Sequence, residues 1–182
     1  MSLNEITEKV FNALYNAVQN EIDFLFRNEI LQQYHNEADK AVILVKILQE
    51  HTLRYIMTRK FYEPLENRVI KFGTEVDYID IVFYEHGKKY AYEIKRWQTN
   101  KERDEIKTND ILKLKGFFEK DKKNTSCYEL IFSANNKKKS KEDYQKDFKD
   151  DALDEYLMLL DCKPIACNDA LTACVFVAEL KV

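Results

Sequence analysis

The sequence predicts an α/β fold: a mixed sheet flanked by helices, with a helical N-terminal part. Three observations carry that reading. Apolar residues recur at helical spacing through the first sixty positions. After Pro64 the pattern changes to short runs rich in β-branched and aromatic residues. From there to the end, helix-like and strand-like stretches alternate. At 182 residues, with no internal repeat and no linker rich in Gly, Pro or Ser, the chain reads as one domain, with N-terminal helices over 1–60 and an αβ core over 61–182.

The elements follow in order. Ile6, Val10, Leu14, Val18 and Ile22 recur every four residues behind a capping Asn4, which predicts a first helix. A second starts near Asn36, with Ala41, Leu44, Val45, Leu48, Tyr55 and Ile56 on one side. Pro64 ends helical structure, because its ring removes a donor and clashes with the preceding turn. Residues 68–72, 78–84 and 89–96 read as strands. The last two are joined at His86-Gly87, a pair suited to a two-residue turn with positive φ. A polar connector leads to a helix over 110–120 with Ile111, Leu114 and Phe118 inward. Residues 127–133 read as a strand, Ser140 opens a helix running to about 160, and 172–182 close as a strand.

Composition narrows the function. The glycines are Gly73, Gly87 and Gly116, too dispersed for a phosphate-cradling loop, which excludes P-loop, Rossmann and Gly-rich-loop chemistry. None of the four serines lies in a nucleophile elbow. The four cysteines form no C-x-x-C pair and lie far from the three histidines, so a structural zinc site is not expected. Cys127 and Cys174 sit in apolar runs and read as buried thiols. No leader-like segment and no run long enough to span a bilayer is evident, so a reducing, cytoplasmic setting without a membrane partner is expected. The formal net charge of −3 hides an asymmetry. Residues 86–141 hold 16 Lys and Arg against 8 Asp and Glu, whereas the remainder holds 13 against 24. Such a basic middle suits an anion-binding face, although solvated surface charge gives the same count.

The hairpin supplies the candidate chemistry. With His86-Gly87 as the turn, Asp80 falls directly opposite Glu93, and Lys95 points the same way two residues on. Facing carboxylates in a sheet repel each other, so the arrangement calls for a compensating cation or a shared proton. A divalent metal such as Mg²⁺ or Mn²⁺ suits hard oxygen ligands; the plainer reading has Lys95 neutralising the acids.

Ile79-Asp80-Ile81-Val82 followed by Tyr92-Glu93-Ile94-Lys95 resembles the PD-(D/E)xK nuclease superfamily, whose members share the restriction-endonuclease-like fold. The resemblance covers roughly 40–133, and residues 110–114 resemble a helix seen in several members. Val76 stands where a proline would precede Asp77, and Ile79 precedes Asp80, both departures from the name-giving pattern. The resemblance implies metal-dependent hydrolysis of phosphodiester bonds in DNA, with RNA as a second possible substrate. It implies that Asp80, Glu93 and the Ile94 carbonyl ligate Mg²⁺ or Mn²⁺, and that Lys95 is the catalytic lysine. Glu50 on the second helix is the candidate further acid, with Glu63 and Glu66 as rivals; a surface pair between Glu50 and Arg54 is the alternative. Arg96 and Trp97 are candidates to grip or stack on nucleic acid, against Trp97 packing at a sheet edge. Lys120, Lys122, Lys123, Lys137, Lys138, Lys139 and Lys141 are candidate phosphate contacts. The alternative function is a non-catalytic nuclease-like domain that binds nucleic acid or a partner protein, and the acidic N-terminal helices offer a homodimer surface.

Overall fold

The computed structural model describes residues 4–34, 36–56, 71–76, 78–168 and 170–182. It is an α/β structure with a mixed sheet flanked by helices. Helix α1 spans Glu5–Arg27 and opens at Asn4, whose Oδ1 accepts from the Thr7 amide at 2.9 Å. A 3-10 turn at Ile30–Gln33 leads to α2, Glu37–Ile56. Strands β1 (Lys71–Val76), β2 (Ile79–Glu85) and β3 (Lys88–Arg96) form an antiparallel meander. Helices α3 (Asn100–Glu105) and α4 (Ile111–Glu119) are joined by a π-helical turn at Ile106–Asp110. Strand β4 (Thr125–Asn135) then runs parallel to β3. Helix α5 (Lys141–Asp150), strand β5 (Leu157–Ala166) and strand β6 (Thr172–Leu180) complete the chain, with sheet order β1-β2-β3-β4-β6-β5.

The expected hairpin forms. His86 and Gly87 adopt φ of 49° and 81°, and the register pairs Ile81 with Tyr92 and Val82 with Ala91, as a turn at those two residues requires. Alternation along the strands then divides the core. Ile81, Phe83, Tyr92, Ile94, Tyr128 and Leu130 face α1 and α2. Val82, Ala91, Cys127, Ile131, Cys174 and Phe176 face α4 and α5, so Cys127 and Cys174 are buried thiols. No helix among the described residues is long and apolar enough to cross a membrane.

Four local expectations are corrected. The first strand lies at Lys71–Val76 rather than 68–72, because its pairing with β2 continues to Val76 opposite Ile79; positions 68–70 lie outside the described residues. The polar connector after β3 is helical. Thr99 Oγ1 accepts from the Glu102 amide at 3.2 Å, and Glu102 Oε2 accepts from the Thr99 amide at 3.0 Å, a reciprocal cap that starts α3. In α4 it is Phe117 that is buried, beside Ile111 and Leu114, while Phe118 is only partly covered. The helix from Ser140 ends at Asp150 instead of about 160: Ala152 takes a left-handed φ of 55°, and Leu157–Ala166 pairs with β6 as a strand.

Candidate active site

The sheet register aligns three carboxylates across neighbouring strands. Glu93 on β3 lies directly beside Glu129 on β4, and continuing the β2–β3 register sets Asp80 beside Glu93 on the other side. Adjacent strands are about 4.8 Å apart, so the three form a row on one face. The π-helical turn delivers a fourth acid, Asp110, over that row; π turns are rare and recur at functional sites. Lys95 Nζ lies 3.4 Å from Asp110 Oδ1. Lys113 Nζ, on α4, lies 3.3 Å from Glu93 Oε2 and 3.8 Å from Asp110 Oδ1.

These groups are largely withdrawn from water. Asp110 and Glu129 are 0 % exposed and Glu93 1 %. Among the described residues, Glu93 Oε1 and both carboxylate oxygens of Glu129 have no hydrogen-bond partner, and Asp110 has only the ion pairs to Lys95 and Lys113. Burial, and then the Asp80 charge, push Glu93 up to about 7, against the attraction of Lys113. Burial likewise raises Asp110, with Lys95 and Lys113 opposing, and raises Glu129 well above the carboxylate range, with Asp110 and Glu93 adding to it. Burial lowers the basicity of Lys113, but Glu93, Asp110 and Asp80 together more than offset it, so it is a firmer cation than a free lysine. Four carboxyl groups thus face two ammonium groups. Burial favours the neutral form of Glu129, and a proton on Glu93 below about pH 7 relieves the excess further.

The backbone at Ile94 is held by side chains where β2 and β3 diverge. Asp80 Oδ2 accepts from the Ile94 amide at 2.8 Å, and Gln49 Nε2 on α2 donates to the Ile94 carbonyl at 3.3 Å. The structure therefore brings Asp80, Glu93 and Lys95 to one place, as the sequence spacing implied. It adds Asp110, Lys113 and Glu129, none of which the spacing identified as site residues. A signal for Glu129 existed: an acid alternating with Cys127 and Ile131 on the inward face of an apolar strand.

Glu50 is exposed on α2, and the neighbouring Gln49 donates to the Ile94 carbonyl. The further acids near Glu93 come from the π turn and β4. Glu63 and Glu66 lie outside the described residues, and the Arg54 side chain does as well. Trp97 is 7 % exposed, packs on Phe148 and Phe176 and donates from Nε1 to Asp151 at 3.0 Å; it is a core residue, not a stacking platform. Arg96 pairs with Glu102, Lys122 with Glu119, Lys139 with Asp147 and Lys141 with Asp161, so part of the basic stretch is neutralised within the chain. Among the described residues, no three His, Cys, Asp or Glu side chains converge as a ready-made chelate.

Comparison with known protein families, curated proteins and solved structures returns no match.

Proposed function

We propose that this protein is a metal-dependent nuclease of restriction-endonuclease-like architecture, hydrolysing phosphodiester bonds in DNA. The observation that carries the reading is the row Asp80, Glu93 and Glu129 across three strands, with Asp110 over it and Lys95 beside it. An element order of α2, β1 to β3, α3 with α4, and a β4 parallel to β3 supports it as well. Buried carboxylates with fewer donors than oxygens are destabilising on their own, which makes sense for groups reserved for a ligand. All are hard oxygen donors, the chemistry that Mg²⁺ or Mn²⁺ prefers. Asp80 and Glu93 would hold the ion, with Asp110 and Glu129 facing the same space. When bound, the ion would supply a polarised water and charge stabilisation at phosphorus.

The chain's own groups do the rest. Asp80 fixes the Ile94 amide and Gln49 fixes its carbonyl, which anchors the strand carrying Glu93 and Lys95. Lys95 is 28 % exposed, so its ammonium can leave Asp110 for a phosphate oxygen and offset the charge that builds there. Lys113 holds the Glu93 carboxylate from the α4 side.

The same pairing supports the alternative of a non-catalytic nucleic-acid-binding domain, because Lys113 already neutralises Glu93. Two measurements separate the readings. Calorimetric titration of Mn²⁺ or Mg²⁺ should show binding to wild type and none to Asp80→Ala. Wild type should nick plasmid and linear DNA with either ion, and Lys95→Ala should cut roughly 10²–10³-fold more slowly with metal binding and melting temperature kept. A wild type inert on DNA and RNA with both ions leaves only the binding module.

A further inference from the structure

Next to Asp80 a groove of about 650 Å³ runs between the start of β2 and α4. Its walls include Tyr78, Leu112, Lys113, Gly116 and Lys120. The volume lies within the roughly 300–1,000 Å³ of ordinary ligand sites. Two residue choices on this groove cost the fold stability: the short connection that joins Val76 to its partner Ile79 calls for a positive φ at Tyr78, where glycine would cost less, and Gly116 sits inside a helix.

The first is Tyr78. It immediately precedes β2 and takes a left-handed φ of 68°, a conformation that bulky side chains avoid. The equivalent position before β3 belongs to Gly87, at φ 81°, for which the conformation costs little. At Tyr78 the chain instead carries a phenol ring, 80 % exposed. The second is Gly116, within α4, where glycine is a poor helix former. A Cβ there would meet no atom within 4 Å, so close packing does not require the glycine. Both costs are met on one groove, and both leave something there for an outside molecule: a flat ring and an unfilled wall. Leu112, 66 % exposed, adds apolar surface, and the ammonium groups of Lys113 and Lys120 supply charge for an anion.

We infer that this groove seats one unpaired nucleotide of a nucleic-acid strand, its base stacked on Tyr78 and its phosphate between Lys113 and Lys120. The inference rests on the nuclease reading and deepens it. A base paired inside a duplex offers no free face to Tyr78, so the preferred substrate is a single strand, a flap or an overhang that leads to Asp80. DNA and RNA strands share the chemistry the groove recognises, an aromatic base face and a phosphate.

The test is equilibrium binding, by fluorescence anisotropy, of a labelled ten-nucleotide single strand (DNA in one arm, RNA in another) and of a blunt duplex of the same sequence. Tyr78→Gly should weaken single-strand binding about 5- to 150-fold, the range expected for loss of one stacked base, while the melting temperature holds or rises. Tyr78→Phe should bind like wild type. Gly116→Leu should raise the melting temperature by about 2 to 4 °C yet weaken binding at least 5-fold. Equal losses for single strand and blunt duplex, or unchanged binding in both Tyr78→Gly and Gly116→Leu, would overturn the subsite. Cleavage is scored separately with Mg²⁺ and Mn²⁺. Tyr78-dependent binding without cleavage keeps the subsite and removes the nuclease; cleavage unaffected by Tyr78→Gly and Gly116→Leu does the reverse.

Discussion

On the face of the sheet covered by α1 and α2, buried polar side chains mostly find partners. Tyr92 and Thr7 share a hydrogen bond at 3.0 Å, and Tyr128 accepts from Asn4 at 2.6 Å while its ring stacks on Tyr92. On the opposite face, under α4, the unpartnered oxygens gather. Of the buried side-chain oxygens without a hydrogen-bond partner among the described residues, two belong to threonines and five to Glu93, Asp110 and Glu129. The same strands supply both faces, so alternate positions of one backbone carry opposite roles. The first face is built for cohesion. The second gives up cohesion to keep charge out of water, the usual trade at a binding or reacting site.

Truncating the cohesive face should produce the largest stability effect. Leu44 on α2 is fully buried among the residues packed on the sheet. Leu44→Ala should lower unfolding stability by roughly 2–5 kcal/mol, the range for a buried leucine that leaves a cavity. Chemical denaturation gives the loss directly. The response of the remaining folded protein to Mg²⁺ should stay that of wild type, since α2 meets the motif through Gln49. A metal response that disappears in Leu44→Ala would show that the two faces are not separable.

The charged face should declare itself through pH. Glu93 titrates near 7 in the folded protein against an ordinary value of 4.5. The folded state therefore holds a proton that the unfolded chain gives up, and stability falls as pH rises from about 4.5 to about 7. Across that window Glu93 alone should remove roughly 3 kcal/mol. Glu93→Gln keeps the shape and an acceptor for Lys113 but has no charge to bury. Its stability should be flatter over the window and exceed that of wild type at pH 8. Melts between pH 4.5 and 8, with and without Mg²⁺, check both parts: wild type should gain from the ion at pH 8 and Glu93→Gln should not.

The two faces were unequally legible in the sequence. Helical periodicity identified α1 and the buried stripe of α2, and the His86-Gly87 turn set the β2–β3 register whose continuation sets Asp80 beside Glu93. Those features are local, and local spacing is what a sequence displays. Glu129 and Asp110 reach the site by other means: a parallel pairing across a helical crossover, and a π turn with no hydrophobic periodicity of its own. The α3 cap was readable as Thr99 with Glu102 three residues on, but the polar residues around it hid the helix. The start of the Leu157–Ala166 strand, up to about residue 160, was misread because its apolar residues also suit a helix; pairing with β6 decides for a strand.

The finest distinction concerns Glu129, whose carboxyl is held above the carboxylate range mainly by burial. Met has a similar volume and no polar atoms to leave unsatisfied. If Glu129 served the sheet, Glu129→Met would destabilise it by breaking a useful contact, but among the described residues no hydrogen bond exists there to break. Replacing a buried, unpartnered polar group with an apolar one of similar shape should instead raise stability by roughly 1–3 kcal/mol, measured by denaturation without metal. Calorimetry should then show weaker Mn²⁺ binding, because one oxygen donor facing the site is gone. A variant that is less stable than wild type would make Glu129 part of the cohesive core. A more stable variant with undiminished Mn²⁺ affinity would confine the ion to Asp80, Glu93 and Asp110.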